Sequence, residues 1–269
     1  MKEQFQRTEM LIGKEALEKL FRAHVAVFGV GGVGGYVVEA LARAGIGALT
    51  LIDHDTVSES NLNRQILATH DTIGRVKVEV AKERILSINP DCKVTAMPVF
   101  VLPEDAKEKA AAEAPDPENE KLDFQSIDSF DFSCYDYVVD AIDTVTGKLA
   151  IIEKAKREGV KVISCMGTGN KMDPSAFRAA DIYQTTVCPL AKVMRKELRK
   201  RGIESLKVVY STEEPIKPVK QAEQDKAGTD KEDSKVRPKD VPGSNSFTPA
   251  AAGLVIASEV VKDLIANEK

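Results

Sequence analysis

The chain has 269 residues, of which 43% are hydrophobic and 30% charged, and its formal net charge is −4. That length holds one large domain or two small ones, and the acidic balance excludes a global electrostatic pull toward nucleic acid. Trp is absent and aromatic residues make up 5%, which argues against an aromatic platform for stacking bases.

Residues 8–22 carry Leu11, Ile12, Ala16, Leu17, Leu20 and Phe21 at helical spacing, which predicts one or two short helices in an N-terminal arm over 1–24. Val25–Phe28 is a short apolar run and predicts the first parallel strand, with Gly35–Ala44 as its helix and Leu49–Asp53 as the second strand. Val76–Ile88 predicts a helix stopped by Asn89-Pro90, and the weak alternation over Lys93–Phe100 predicts a third strand. Residues 103–131 differ, because Pro103, Pro115 and Pro117 lie among acids and alanines; this predicts an acidic helical or looped insertion. Tyr137–Asp143 predicts a strongly apolar strand with acids at its end, Lys148–Glu158 a helix, and Val160–Cys165 another buried strand. Residues 212–245 hold Pro215, Pro218, Pro238 and Pro242 in a charged stretch, which predicts a flexible loop. The apolar run over 249–265 is interrupted by Glu259 and falls short of the roughly 20 apolar residues of a membrane span. A buried C-terminal helix is expected there, and no membrane insertion.

Strands alternating with helices predict an α/β fold: a Rossmann-like, doubly wound, mostly parallel sheet with crossover helices and a C-terminal extension. One domain over 1–269 is expected, with the arm 1–24, a nucleotide-binding core 25–165 and a substrate-facing part 166–269. In such sheets ligands bind beyond the carboxyl ends of the strands. The turn Gly29-Val-Gly-Gly-Val-Gly-Gly35 falls at such an end, with Gly29, Gly31 and Gly34 at the three positions of a nucleotide-binding turn and Gly32 between them. Glycine lets the backbone approach a phosphate, and the N–H groups that open the following helix face the anion. Asp53 lies where a carboxylate accepts hydrogen bonds from ribose hydroxyls. Taken alone, this turn is open between a dinucleotide and a mononucleotide.

Arg64 and Lys77 narrow that choice. A basic pair so close to the ribose-binding acid suits a polyphosphate tail that extends past the glycine turn, Arg as a planar fork and Lys as a point charge. Asp143, at the end of its strand, suits a Mg²⁺ held by one or two carboxylates and phosphate oxygens.

These residues carry a family resemblance. Phe5-Gln-Arg-Thr-Glu-Met-Leu-Ile-Gly13, the Gly29–Gly35 turn, Asp53-His-Asp-Thr-Val57, Asn61-Leu-Asn-Arg-Gln65, Gly74-x-x-Lys77, Ile88-Asn-Pro90 and Asp140-Ala-Ile-Asp143 follow in order over about 150 residues. The chain resembles the ATP-dependent adenylating enzymes of the ubiquitin-activating superfamily. The resemblance implies ATP and Mg²⁺, with Asp53 on the ribose, Asn61, Arg64, Gln65 and Lys77 on the phosphates, and Asp143 on Mg²⁺. It implies a homodimer in which Arg7 reaches the site of the other subunit. Asp55 is counted with the nucleotide-binding set, and Asp55 and Asn63 as turn formers remain the alternative. His24, His54 and His70 are scattered, and only His54 is near enough to Asp53 to line a site.

The second half lacks the paired C-x-x-C zinc motifs of the sulfur-carrier activators. Cys165-Met-Gly-Thr-Gly-Asn-Lys171, Cys188-Pro-Leu-Ala-Lys192 and Gly243-Ser-Asn-Ser-Phe-Thr-Pro249 are similar instead to the tRNA threonylcarbamoyladenosine dehydratase branch. Lys192, Arg195, Lys196, Arg199 and Lys200 recur at i, i+3, i+4, i+7 and i+8 and so share one helix face, with Leu190, Val193, Met194 and Leu198 on another. A common basic face meets successive phosphates of a tRNA. Cys188, followed by Pro and near Lys192, is a candidate reactive thiol in catalysis or in exchange with a sulfur-transfer partner, with packing as the other reading. Cys165 is expected to be structural, and Cys92 and Cys134 lack a catalytic context. Four cysteines without a C-x-x-C pair, and an N-terminus without an apolar signal core, lead to the expectation of a reducing cytoplasm. Three alternatives stay open: adenylation of a small carrier protein's C-terminus, an NAD-dependent oxidoreductase, and a non-catalytic tRNA-binding protein.

Overall fold

The computed structural model describes residues 3–103, 124–218 and 242–266. In chain order its strands are β1 (His24–Phe28), β2 (Ala48–Ile52), β3 (Lys93–Met97), β4 (Phe100–Leu102), β5 (Phe124–Ser126), β6 (Tyr137–Asp140), β7 (Lys161–Cys165), β8 (Phe177–Asp181) and β9 (Lys207–Ser211). The α-helices are α1 (Gln6–Ile12), α2 (Lys14–Arg22), α3 (Gly34–Ala44), α4 (Lys77–Ile88), α5 (Val145–Arg157), α6 (Pro189–Lys200) and α7 (Thr248–Ile265).

The continuous apolar run of β1 places it at the centre, because a parallel strand covered on both faces has no polar side to alternate with. Val25 pairs in register with Leu49 of β2 on one side and with Tyr137 of β6 on the other. The seven-stranded sheet runs β3-β2-β1-β6-β7-β9-β8, parallel except for β8, which lies antiparallel to β9 at the edge. Successive side chains feed opposite faces. Val25 and Val27 enter a core with Leu41 of α3 and Ile256 of α7. Ala26 and Phe28 enter a second core with Phe132, Ile151 of α5 and Met194 of α6. Leu41, Leu51 and Ile151 are fully buried, and each such side chain stabilises by roughly 1.5–3 kcal/mol.

From β1 the chain winds through α3 to β2 and α4 to β3, then returns to β6 on the other flank of β1. The winding direction therefore reverses between β1 and β6, where a crevice opens above the carboxyl ends. The turn after β1, the acid after β2 and the loop after β6 all meet there. No side chain caps the start of α3; its Gly35 and Tyr36 N–H groups donate to the Gly31 and Val33 carbonyls, so the turn itself presents its backbone to whatever fills that crevice.

Several expected boundaries shift for physical reasons. The N-terminal arm is two helices, broken at Gly13 with φ +84. The third strand ends at Met97, because Pro98 cannot donate to the ladder and the Val99 N–H turns back to the Met97 carbonyl. Phe100–Leu102 then starts a separate two-stranded sheet in parallel with Phe124–Ser126. The stretch expected as a helical or looped insertion over 103–131 therefore ends in a strand, while residues 104–123 lie outside the described residues. So do 219–241 of the expected loop over 212–245. The sixth strand stops at Asp140, and Ala141–Thr144 is a loop into α5. On α6 the apolar face is Ala191, Met194 and Leu198; Val193, expected on that face, is 46% exposed. The C-terminal run is a core helix as expected, and among the described residues no helix is long and apolar enough to cross a membrane.

Candidate active site

The crevice holds a cleft of about 740 Å³, within the range of small-molecule sites. Its lining is mixed: Phe28, Ile52, Val99, Phe100, Val101 and Ile142 give apolar wall, and Asp53, Asp55, Asn61, Arg64, Gln65, Lys77 and Asp143 polar wall. Gly29, Gly31 and Gly32 of the glycine turn line the same cleft. Its geometry explains its sequence. Gly29 has φ +86, and a Cβ there would stand 2.8 Å from the Ala141 carbonyl oxygen. Gly34 does not line the cleft. A Cβ on it would fall 1.7 Å from the Gly29 carbonyl oxygen, so it brings α3 against the turn.

Asp53 ties this turn to β2. Its Oδ2 accepts from the Val30 N–H at 2.8 Å and its Oδ1 from the Asp55 N–H at 2.9 Å. Burial pushes the Asp53 carboxyl above its ordinary range, against the pull of Lys77 and of those two N–H groups. Each carboxylate oxygen has a further lone pair to offer a hydroxyl. Lys77 opens α4 with its side chain 5% exposed, and its Nζ lies 2.6 Å from Asp55 Oδ2. Asp55 also faces His54, whose Nε2 is 3.1 Å away and whose ring stands edge-on to Phe100. Arg64 donates from one guanidinium nitrogen to the Ser60 carbonyl at 2.7 Å and to Asn63 Oδ1 at 2.9 Å. The side-chain oxygen of Asn61 closes a capping box with Ser58.

Two groups are unspent. Gln65 is buried and its Oε1 has no partner among the described residues; a flip of the amide would put the donor Nε2 there, the side that a phosphate oxygen accepts from. Asp143 is exposed at the mouth and, among the described residues, makes no hydrogen bond or ion pair. A carboxylate oxygen free beside a cationic, glycine-walled cleft is the donor type that Mg²⁺ takes together with phosphate oxygens.

The remaining expected residues fall elsewhere. Arg7 stands exposed on α1, outside the cleft. Cys188 does not line the cleft either. It is 3% exposed and packs in the core under α6, its Sγ behind the cleft-lining Gly167. Cys165 does reach the cleft wall, with burial pushing its thiol up to about 12. On α6 the basic face is unequal. Arg195 turns inward to the Thr185 carbonyl and hydroxyl, Arg199 stacks over Tyr183, and Lys200 pairs with Glu197 at 2.8 Å. Lys192 and Lys196 stay exposed with no ion pair among the described residues.

The sequence did not point to the far wall of the cleft, built by Phe100, Ser244 and Pro249. Ser244 is held there by Asn63, whose Nδ2 donates to its carbonyl at 3.2 Å.

The sequence matches the ThiF family over residues 5–269. The chain belongs to the ThiF family. Among ThiF-family relatives, the tRNA threonylcarbamoyladenosine dehydratase of Bacillus subtilis (strain 168) is 40% identical over 267 residues, 98% of this chain and 96% of that protein. The enzyme of the same name from Escherichia coli (strain K12) is 36% identical over 225 residues, 81% of this chain and 76% of that protein. The crystal structure of the E. coli tRNA N6-threonylcarbamoyladenosine dehydratase in complex with ATP superposes with a TM-score of 0.75 at 32% identity, covering 97% of this chain and 93% of that one.

Proposed function

We propose that this protein is an ATP-dependent tRNA-modifying enzyme that dehydrates threonylcarbamoyladenosine next to the anticodon to its cyclic form. The observation that carries this reading is a single cleft that unites the glycine turn, Asp53, Arg64, Lys77 and Asp143. Relatives of the same length bear that activity in their names, and one such enzyme binds ATP in its crystal structure.

The chemistry follows from the residues. The adenosine of ATP packs on the apolar lining, with its ribose hydroxyls on Asp53. The backbone N–H groups of the glycine turn that leads into α3 meet the α-phosphate. Asn61, Arg64, Gln65 and Lys77 receive the other two phosphates, Lys77 by exchanging Asp55 for a phosphate oxygen. Asp143 would hold Mg²⁺; the chemistry that ion supplies when bound is charge neutralisation at the phosphate oxygens. The threonine carboxylate attacks the α-phosphorus, forming a mixed anhydride with AMP and releasing pyrophosphate. Positive charge fixed at the leaving group is the main catalytic contribution of Arg64 and Lys77. The carbamoyl group then attacks the activated carbonyl, closing a five-membered ring and releasing AMP. Ring closure is intramolecular, so proximity replaces an enzyme nucleophile, in keeping with the burial of Cys188.

Lys192 and Lys196 offer the free charges of the α6 face to tRNA phosphates, and Arg7 serves the cleft of a second copy in a homodimer. We do not extend the reading to a sulfur-transfer partner, because Cys134 is the exposed cysteine and it lies outside the cleft. Four unpaired cysteines suit the reducing cytoplasm.

The test is pyrophosphate exchange into ATP, with tRNA carrying threonylcarbamoyladenosine, unmodified tRNA and a ubiquitin-like carrier protein offered in parallel. Exchange with the modified tRNA alone, and mass-spectrometric loss of one water from its nucleoside, is the expected result. Exchange driven by the carrier protein would overturn it.

A further inference from the structure

The loop that carries Asp143 is anchored by a buried polar cluster that the reaction scheme does not use. Asp140, the last residue of β6, and Lys148, in the first turns of α5, are 0% and 1% exposed. Lys148 Nζ lies 3.1 and 3.0 Å from the two Asp140 oxygens. The Ser164 hydroxyl of β7 donates to Asp140 Oδ2 at 2.5 Å, and the Ile142 N–H reaches Oδ1 at 3.4 Å. One carboxylate thus holds the neighbouring strand, the helix after the loop and the loop itself. The loop has little freedom left. A Cβ on Gly147 would stand 2.6 Å from the Ile142 side chain.

A buried ion pair is a poor way to gain stability, because desolvation cancels most of the attraction and an apolar pair of similar volume does as well. It does fix geometry, since an uncompensated partner is costly in any other arrangement. Asp143 lies three residues beyond Asp140 and five before Lys148. Among the described residues its own side chain has no partner to hold it, so its position is set by the backbone at both ends of its loop.

We propose that Asp140, Lys148 and Ser164 act as positioning residues that hold Asp143 where a divalent cation bridges it to the nucleotide phosphates. This deepens the ATP reading and rests on it. The test uses the full-length protein and measures ATP affinity by calorimetry twice, in EDTA and with excess Mg²⁺; the ratio of the two reports on the metal. Lys148→Met alone strands the Asp140 charge, so it is combined with Asp140→Asn, and Ser164→Ala provides a milder variant that removes one hydrogen bond and leaves the ion pair in place. The double variant is expected to keep its EDTA affinity within about twofold while the Mg²⁺ ratio falls about tenfold, as outer-shell changes do at metal sites. Asp143→Ala should show the same pattern, and Ser164→Ala a smaller loss. An unchanged ratio in Ser164→Ala and in a folded double variant, or an equal loss of affinity with and without Mg²⁺, would overturn the proposal. Wild-type protein that fails to bind ATP at all would instead overturn the proposed function.

Discussion

At the residue scale, Lys77 shows how one side chain serves both fold and chemistry. Its stem is buried at the start of α4, and its Nζ is held 2.6 Å from Asp55. Lys77→Ala is expected to lower pyrophosphate exchange about 10²- to 10³-fold, the usual loss when one fixed charge at a leaving group is removed, with ATP affinity measured separately to divide binding from turnover. The places of Gly29, Asp53 and Lys77 on the cleft wall were legible because each follows a strand end or opens a helix, where sequence punctuation is strong; Arg64 lies in a turn and Asp143 in the loop after β6, and they were legible as charges near those ends. Lys148 was not, since a lysine early in a predicted helix has every reason to face water. Its burial depends on a carboxylate eight residues away that closes the strand before it. The burial of Cys188 was hidden for a related cause: a cysteine before a proline marks a helix start, but exposure is decided by what packs over it.

At the element scale, α3 and α4 are joined by Glu39, which accepts from Arg84 at 2.5 Å and pairs with Arg43 at 2.7 Å. Burial pushes the Glu39 carboxyl up, but the two guanidinium groups together outweigh it and leave it below its ordinary range. A carboxyl lowered in the native state adds stability that is fully present above the unfolded-state value and is lost as pH falls through the native one. Glu39→Gln is therefore expected to lower the thermal midpoint near neutral pH, by about 1 kcal/mol of stability since both arginines are partly solvated. The gap to wild type should close in the same melts as pH falls through the carboxyl's native-state value, below the ordinary carboxylate range. β1, β2 and β7 were readable to within a residue, because uninterrupted apolar runs have few other places to go; β3 and β6 were each read about three residues too long. The short β4–β5 pair was not, since three-residue strands carry too little alternation to register.

At the scale of the whole molecule, the cleft draws on both halves of the chain. Pro249 at the start of α7 and Ser244 before it face the glycine turn from the far side, contacts that no local pattern announces. Arg7, exposed on α1 and away from the cleft, leads to a test of assembly. Arg7→Ala and Lys77→Ala proteins, each weak alone, are expected to regain activity when unfolded and refolded as a mixture. A symmetric dimer with exchanged arginines gives about a quarter of the wild-type rate, since half of the dimers are mixed and each has one intact site. No gain on mixing would mean that Arg7 acts within its own subunit or not at all.

Asn170, in the left-handed region at φ +57, binds both sides of one long excursion. Its carbonyl accepts from the Ile216 N–H at 2.9 Å, its N–H donates to the Gly243 carbonyl at 2.8 Å, and its side chain accepts from the Gly243 N–H at 2.7 Å. Because one residue pins both ends, the chain between them can grow or shrink at a cost that rises only with the logarithm of its length. Change in that interval leaves the sheet untouched yet begins at the rim of the cleft. Pro242 and Ser244, on either side of the pinned Gly243, line the cleft, so the residue that closes the excursion also fixes the cleft's rim.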